Sequence, residues 1–296
     1  MKGGDGGDIK MENILSPFNY VGSKAQLLLE LQKTFGIDYH CRKFVDLFAG
    51  SFTVGANQLY RSESVLTNDL CEPLVEAYQM LANTGYDVVK GQISSRVDEF
   101  DLNNTSRKIG KRNFYRFRKF YNDNPMNRNP SDTLILARRC YNGLVNFNGD
   151  IFKGSFGLKP VTESYYETLK KFMEHLHRYR DKLEFSAISF EEFDYDSLNE
   201  QDLVYVDCPY LLTSIRYQGW TKEQELVLYA ILDGLSKRNI RWVMSNIISI
   251  DGRVHQLLEN WYKANNYRKH NVNAEYDKFQ QNRTKANMPQ EVIIFN

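Results

Sequence analysis

The chain has 296 residues, 42% of them hydrophobic and 25% charged, with a formal net charge of +1. These proportions exclude a disordered, collagen-like or disulfide-stapled chain and fit a globular protein with a sizeable core and room for an inserted subdomain. No run approaches the roughly 18 apolar residues of a membrane span, and the four cysteines, Cys41, Cys71, Cys140 and Cys208, offer no Cys-x-x-Cys spacing for zinc or redox chemistry.

The Gly- and Asp-rich start, Met1 to Lys10, lacks the apolar stretch of a signal peptide and predicts a disordered tail on a cytoplasmic protein with reduced thiols and no structural metal. Ala25 to Phe35 follows, with Leu27, Leu28 and Leu31 at helical spacing. Just before it, Gly22-Ser23-Lys24 reads as a tight turn with a solvated lysine. Lys43 to Gly55 reads as a short strand, a small-residue turn at Ala49-Gly50-Ser51 and resumed helical spacing through Ala56 and Leu59. Such a turn lets backbone N–H groups approach a ligand closely, although Phe52 stands where a Gly-x-Gly-x-x-Gly fingerprint has its second glycine. A second strand, Ser64 to Asp69, ends in an acid 19 residues after Gly50. An acid about 20 residues on is the usual partner of ribose hydroxyls, and the competing reading is an N-cap for a helix carrying Leu74, Val75, Ala77, Tyr78 and Leu81.

From Tyr86 to Pro160 the chain turns basic, aromatic and Asn-rich. Between Asn104 and Pro160 stand twelve Lys and Arg against three acids, a local charge of +9 that leaves −8 for the remainder, as suits a region made for a polyanion. Asn113 to Tyr121 sets Arg116, Arg118 and Lys119 among rings, a mixture that favours phosphate contact plus base stacking. The alternative is an amphipathic helix whose rings are core and whose cations are solvated. Asn122 to Pro130 reads as a loop, Leu134 to Cys140 as a helix, and Arg139 to Gly149 as turns or a hairpin.

Beyond Pro160 a helix is predicted from Tyr165 to Leu183, with Leu169, Phe172, Met173, Leu176 and Tyr179 on one stripe. Leu203-Val204-Tyr205-Val206 then alternates like a buried strand and stops at Asp207-Cys208-Pro209-Tyr210. A carboxylate, a rigid turn and a ring thus reach the carboxyl edge of a sheet, where open α/β folds place ligands. A helix from Thr221 to Leu235, a strand from Trp242 to Asn246, a basic loop from Asn282 to Asn287 and a strand from Glu291 to Phe295 complete the chain. Strands alternating with helices predict an α/β fold with a mostly parallel sheet covered on both faces.

In this order the segments resemble the Dam-type, α-class DNA adenine-N6 methyltransferases. Asn19 to Lys24 is similar to that family's amino-terminal cofactor motif, Asp46 to Gly50 to its glycine motif, and Asn68-Asp69 to its ribose-binding acid. Ser189-Phe190 resembles the adenine-contacting segment, Asp207 to Tyr210 the catalytic tetrapeptide, Val243 to Asn246 the following strand motif, and Tyr141 to Leu144 the recognition segment. The resemblance implies a Rossmann-like class I methyltransferase sheet with an antiparallel C-terminal strand. Residues 11–85 and 161–296 would form the catalytic domain, and 86–160 a mainly helical target-recognition insertion. The implied cofactor is S-adenosylmethionine, held by Tyr20, Lys24, Asp46, Phe48, Ala49, Gly50, Ser51, Asp69, Phe190 and Asp207. Catalysis would fall to Asp207, Cys208, Pro209 and Tyr210, and DNA contact to Arg116, Arg118, Lys119, Arg138, Arg139, Tyr141, Asn142, Asn146, Asn148, Arg283 and Lys285. Double-stranded DNA is the implied partner, beside a cognate restriction endonuclease, for a bacterial or phage-encoded monomer or a dimer on DNA.

Three positions depart from the family pattern: Phe52 for a glycine, Ser189 for an acid, and Cys208 for a proline. The chemistry tolerates the last, because a backbone carbonyl is what position 208 supplies beside the Asp207 carboxylate. A Cys208 nucleophile, as in cytosine-C5 chemistry, is the rival reading of the tetrapeptide. Relatives that read GATC carry an Arg where this chain has Asn146, and Asn pairs with adenine where Arg pairs with guanine, so the expected target is not GATC. An RNA adenine methyltransferase and a catalytically degenerate DNA-binding protein are the competing functions.

Overall fold

A computed structural model describes residues 13–18, 24–36, 39–143, 145–216, 220–272 and 288–296. In chain order it runs through α1 (Leu28–Phe35), β1 (Cys41–Asp46), α2 (Thr53–Ala56), β2 (Ser62–Asn68), α3 (Glu72–Asn83), α4 (Tyr86–Glu99), α5 (Arg107–Asp123) and α6 (Pro130–Arg139). There follow β3 (Phe147–Asn148), β4 (Ile151–Phe152), α7 (Glu163–Arg178), β5 (Leu183–Ser186), β6 (Leu203–Val206), α8 (Lys222–Lys237), β7 (Arg241–Ile250), β8 (Arg253–Val254), α9 (Gln256–Ala264), β9 (Arg268–Asn271) and β10 (Gln290–Phe295).

The main sheet has the order β5-β2-β1-β6-β7-β10-β9, with β8 paired to β7. β5, β2, β1, β6 and β7 pair in parallel, and β10 runs antiparallel to both β7 and β9. This is the mostly parallel α/β sheet with an antiparallel C-terminal strand that the resemblance implies. Alternation along β6 decides which layer each residue joins. Leu203 and Tyr205 face a core shared with α1, α3 and α7, whereas Val204 and Val206 face one shared with α8 and α9. Each large side chain so buried contributes roughly 1.5–3 kcal/mol.

Local signals set the helix ends. Thr221 and Gln224 form a reciprocal capping box at the start of α8, Asn129 and Asp132 do the same for α6, and Thr162 caps α7. Two expectations change. The helix predicted to Leu183 ends at Arg178, and Leu183 opens the edge strand β5 beside β2. Lys182 draws the chain down to the sheet there by donating to the carbonyls of Leu59 and Ser62. In α5, Phe114, Phe117 and Tyr121 are fully buried while Arg112, Arg116 and Lys119 face solvent. The rings recur at i, i+3 and i+7 and so pack as one apolar stripe, which overturns the expectation of a base-stacking surface.

The described residues between 86 and 160 form three α-helices, two short 3-10 turns and a hairpin with a two-residue loop. α6 lies against α3, and Val89, Ile93, Phe114 and Leu134 share one continuous apolar cluster with Phe52, Tyr78 and Leu81.

Candidate active site at the reversal of strand order

β1 and β6 lie side by side, yet β2 continues from β1 in one direction and β7 from β6 in the other. Such a reversal opens a crevice at the carboxyl ends of the two strands. Asp46 closes β1, and Asp207 follows β6 directly.

The tetrapeptide meets two other side chains there, Lys24 and Glu291. Lys24 Nζ lies 2.9 Å from Asp207 Oδ2 and 3.5 Å from a carboxylate oxygen of Glu291 on β10. The Tyr210 hydroxyl donates to Asp207 Oδ1 at 2.8 Å and reaches Glu291 Oε1 at 3.2 Å. Lys24 is 6% exposed, which replaces the solvated lysine of the sequence reading with a buried bridge between two acids. Burial raises the Asp207 carboxyl, and the Lys24 ammonium opposes that rise. Burial also raises the Tyr210 hydroxyl far above its ordinary value, with Asp207 and Glu291 adding to the effect. Cys208 is buried, and burial, Glu225 and Asp207 hold its thiol protonated, which argues against a thiolate nucleophile.

The glycine turn is fastened by acids. Asp46 Oδ2 accepts from the Gly55 N–H at 2.9 Å, and Asp69 accepts from Gly50 N–H at 2.8 Å and from Cys71 N–H at 2.9 Å. Asp69 therefore ties the turn to the entry of α3 while remaining half-buried. Phe52 accepts a left-handed backbone, φ 57°, that glycine would adopt with less strain. Its ring points into the core against Tyr78, Phe172 and Phe185, away from the turn. Ser51 likewise turns its hydroxyl inward to Thr53. Asn68 bonds both backbone groups of Ile188 and so fixes the segment that carries Phe190.

Phe190 packs against Phe48 at 5.5 Å and Trp220 at 5.4 Å between ring centroids, and Trp220 meets Phe48 edge-on at 5.8 Å. Sequence reasoning missed Trp220. Its signal was its place one residue before the Thr221 cap, where an apolar residue commonly staples the entry of a helix. Behind it the fully buried Glu225 accepts from Tyr229 at 2.6 Å, bonds His255 at 2.8 Å and accepts from the Trp220 indole at 3.4 Å. Glu291 was missed too, because a single acid at the head of an apolar strand carries no motif.

Among the expected DNA contacts, Arg139 is 2% exposed and donates to the Lys159 carbonyl, with its guanidinium against Phe156. Arg138 donates to the Pro160 carbonyl, and Arg118 to those of Lys153 and Gly154. These three arginines anchor the chain that follows the hairpin. Tyr141, Asn142, Asn146 and Asn148 are exposed on the hairpin side, and Arg116 and Lys119 on α5. Tyr20, Arg283 and Lys285 lie outside the described residues.

A family model described as D12 class N6 adenine-specific DNA methyltransferase matches residues 20–278. The chain is 32% identical over 297 residues to the type II methyltransferase M.FokI of Planomicrobium okeanokoites, covering 96% of this chain and 43% of that one. It is 30% identical over 293 residues to the modification methylase StsI of Streptococcus sanguinis, covering 96% and 43%. With the type II methyltransferase M.MjaIII of Methanocaldococcus jannaschii it shares 24% identity over 259 residues, covering 80% and 86%. The chain thus spans less than half the length of the first two relatives.

Proposed function

The chain belongs to the D12 class of N6 adenine-specific DNA methyltransferases, and from that premise we propose that it transfers a methyl group from S-adenosylmethionine to N6 of an adenine flipped out of duplex DNA. The observation that carries this reading is the Asp207 carboxylate, held at the strand-order reversal beside the Tyr210 ring and the buried Lys24.

The exocyclic amine of adenine is a weak nucleophile because its lone pair is conjugated with the ring. Two acceptors that take its N–H bonds favour a more tetrahedral nitrogen. Asp207 supplies one acceptor, and the backbone carbonyl of Cys208 supplies the other whatever its side chain. Extrusion of the base costs a few kcal/mol, and stacking on Tyr210, worth roughly 1–3 kcal/mol, offsets much of it.

The donor set suits the cofactor. Burial raises the Asp46 carboxyl, and Asp207 and Asp69 add to that rise, a cost that a cationic ligand relieves, and Phe48, Phe190 and Trp220 offer flat apolar surface for a purine. When bound, S-adenosylmethionine would supply a methyl group from a sulfonium that leaves as a neutral thioether, while the residues around it align the reactants and exclude water and Asp207 takes up the proton that N6 gives up.

DNA from cells that express the chain should carry N6-methyladenine at one fixed sequence, readable by long-read sequencing, and that sequence should differ from GATC because of Asn146. Purified protein should label duplex DNA in preference to structured RNA. Equal or greater labelling of the RNA would overturn the reading. The relatives' names, a type II methyltransferase and a modification methylase, support pairing with a restriction endonuclease.

The exposed cations of α5 are read as phosphate contacts and the anchoring arginines as structural. Replacing Arg112 and Arg116 by alanine should flatten the dependence of log affinity on log salt by about 2. Arg139→Ala should instead destabilise the fold by about 2–4 kcal/mol with the slope unchanged. The opposite pattern would show that the roles are exchanged.

A further inference from the structure

We propose that Glu291 is a positioning residue for methyl transfer, the acceptor that takes over the Tyr210 hydroxyl when the adenine amine claims Asp207. The inference rests on the function proposed above. Both oxygens of Asp207 are engaged in this structure, Oδ2 with Lys24 and Oδ1 with the Tyr210 hydroxyl. An incoming N–H needs Oδ1, so the hydroxyl must turn elsewhere. A phenol has one proton to donate, and Glu291 Oε1 stands 3.2 Å from it, only slightly farther than Asp207 Oδ1 at 2.8 Å.

The placement of Glu291 argues for a role beyond stability. It is 4% exposed at the head of a strand whose next three residues, Val292, Ile293 and Ile294, are apolar and fully buried. A shift in pairing register between Gln290 and Glu291 sets it against Ile247 on β7. A buried acid is costly, and apolar replacements of buried ion pairs are often neutral or stabilising. Lys24, 3.5 Å away, offsets the charge and bridges Glu291 to Asp207, so the hydroxyl passes between two carboxylates that share one cation. No net proton moves. A hydrogen bond passes from one carboxylate to the other, Tyr210 stays anchored for stacking, and Asp207 Oδ1 is released to the substrate.

The test is a double-mutant cycle on the full chain under single-turnover conditions with saturating cofactor and duplex. Glu291→Gln should slow methyl transfer about tenfold, with DNA affinity and the fluorescence of 2-aminopurine at the target position, a reporter of base extrusion, unchanged. Tyr210→Phe keeps the stacking ring and removes the hydroxyl, so on that background Glu291→Gln should cost less than about threefold. Glu291→Asp, which keeps the charge, should recover part of the rate and covers the case in which the glutamine variant fails to fold. Equal slowing by Glu291→Gln in both backgrounds, or no slowing while the wild type methylates, would overturn the proposal alone. A wild-type chain that binds cofactor and DNA yet never methylates would overturn the parent function and this inference together.

Discussion

Replacing Asp207 by asparagine is expected to lower single-turnover methyl transfer by about a thousandfold while the fold and DNA affinity persist. The side chain keeps its size, so the loss isolates charge and acceptor count. In the native site both oxygens accept, from Lys24 at 2.9 Å and from Tyr210 at 2.8 Å. An amide brings two N–H donors among these donors. Either its nitrogen faces the Lys24 ammonium, or it faces the amine that the carboxylate should activate. Rapid-quench measurement of methyl incorporation with excess enzyme reads the step directly, and a loss smaller than about tenfold would remove Asp207 from the chemistry. Burial raises the Asp207 carboxyl. The native rate should therefore fall with decreasing pH earlier than an ordinary carboxylate would dictate, because protonation blocks the acceptor.

Asp46→Asn is expected to make the protein more stable and worse at its task. Asp46 is 1% exposed, and burial lifts its carboxyl to about 7, helped by Asp207 and Asp69 and opposed by the Gly55 N–H. The folded chain therefore holds this proton more tightly than the unfolded chain. The resulting contribution to stability is full below the ordinary carboxylate range and is lost as the pH rises through about 7. An asparagine oxygen can still accept the Gly55 N–H without carrying charge. At pH 8 the variant should gain on the order of 3 kcal/mol, with the gain shrinking toward pH 5. Its affinity for a sulfonium cofactor should drop about tenfold, since the missing charge is the one a cation would meet. Thermal melts at several pH values and calorimetric cofactor titration check both halves. A variant less stable than the wild type at pH 8 would contradict the account.

The strand ends were legible because they break a pattern. The alternation of Leu203 to Val206 stops at an acid and a proline, and the small residues after Asp46 stop a strand before a helix. Those signals are local, and the structure brings Asp46 and Asp207 to neighbouring strand ends. The rings of α5 were misread because Arg and Lys interrupt a stripe that is apolar only at i, i+3 and i+7. Arg139 was misread because a guanidinium can spend its donors on nearby carbonyls as readily as on phosphate. Glu291 and Trp220 were missed for another reason. Each gains meaning only from residues far along the chain, Glu291 from Lys24 and Tyr210, Trp220 from Phe48 and Phe190.

If the function proposed above holds, the shared apolar cluster that joins α4, α5 and α6 to α3 would also constrain how the protein can acquire a new target. Exchange of the whole segment 86–160 with that of a relative would open a seam through packed phenylalanines and leucines, where even one methylene is felt. On the function proposed above, drift in target preference would be channelled to solvent-facing residues such as Tyr141, Asn142, Asn146 and Asn148, which are exposed. New specificities in this lineage would arise by repainting a few surface side chains, one at a time, rather than by shuffling reading heads between catalytic bodies.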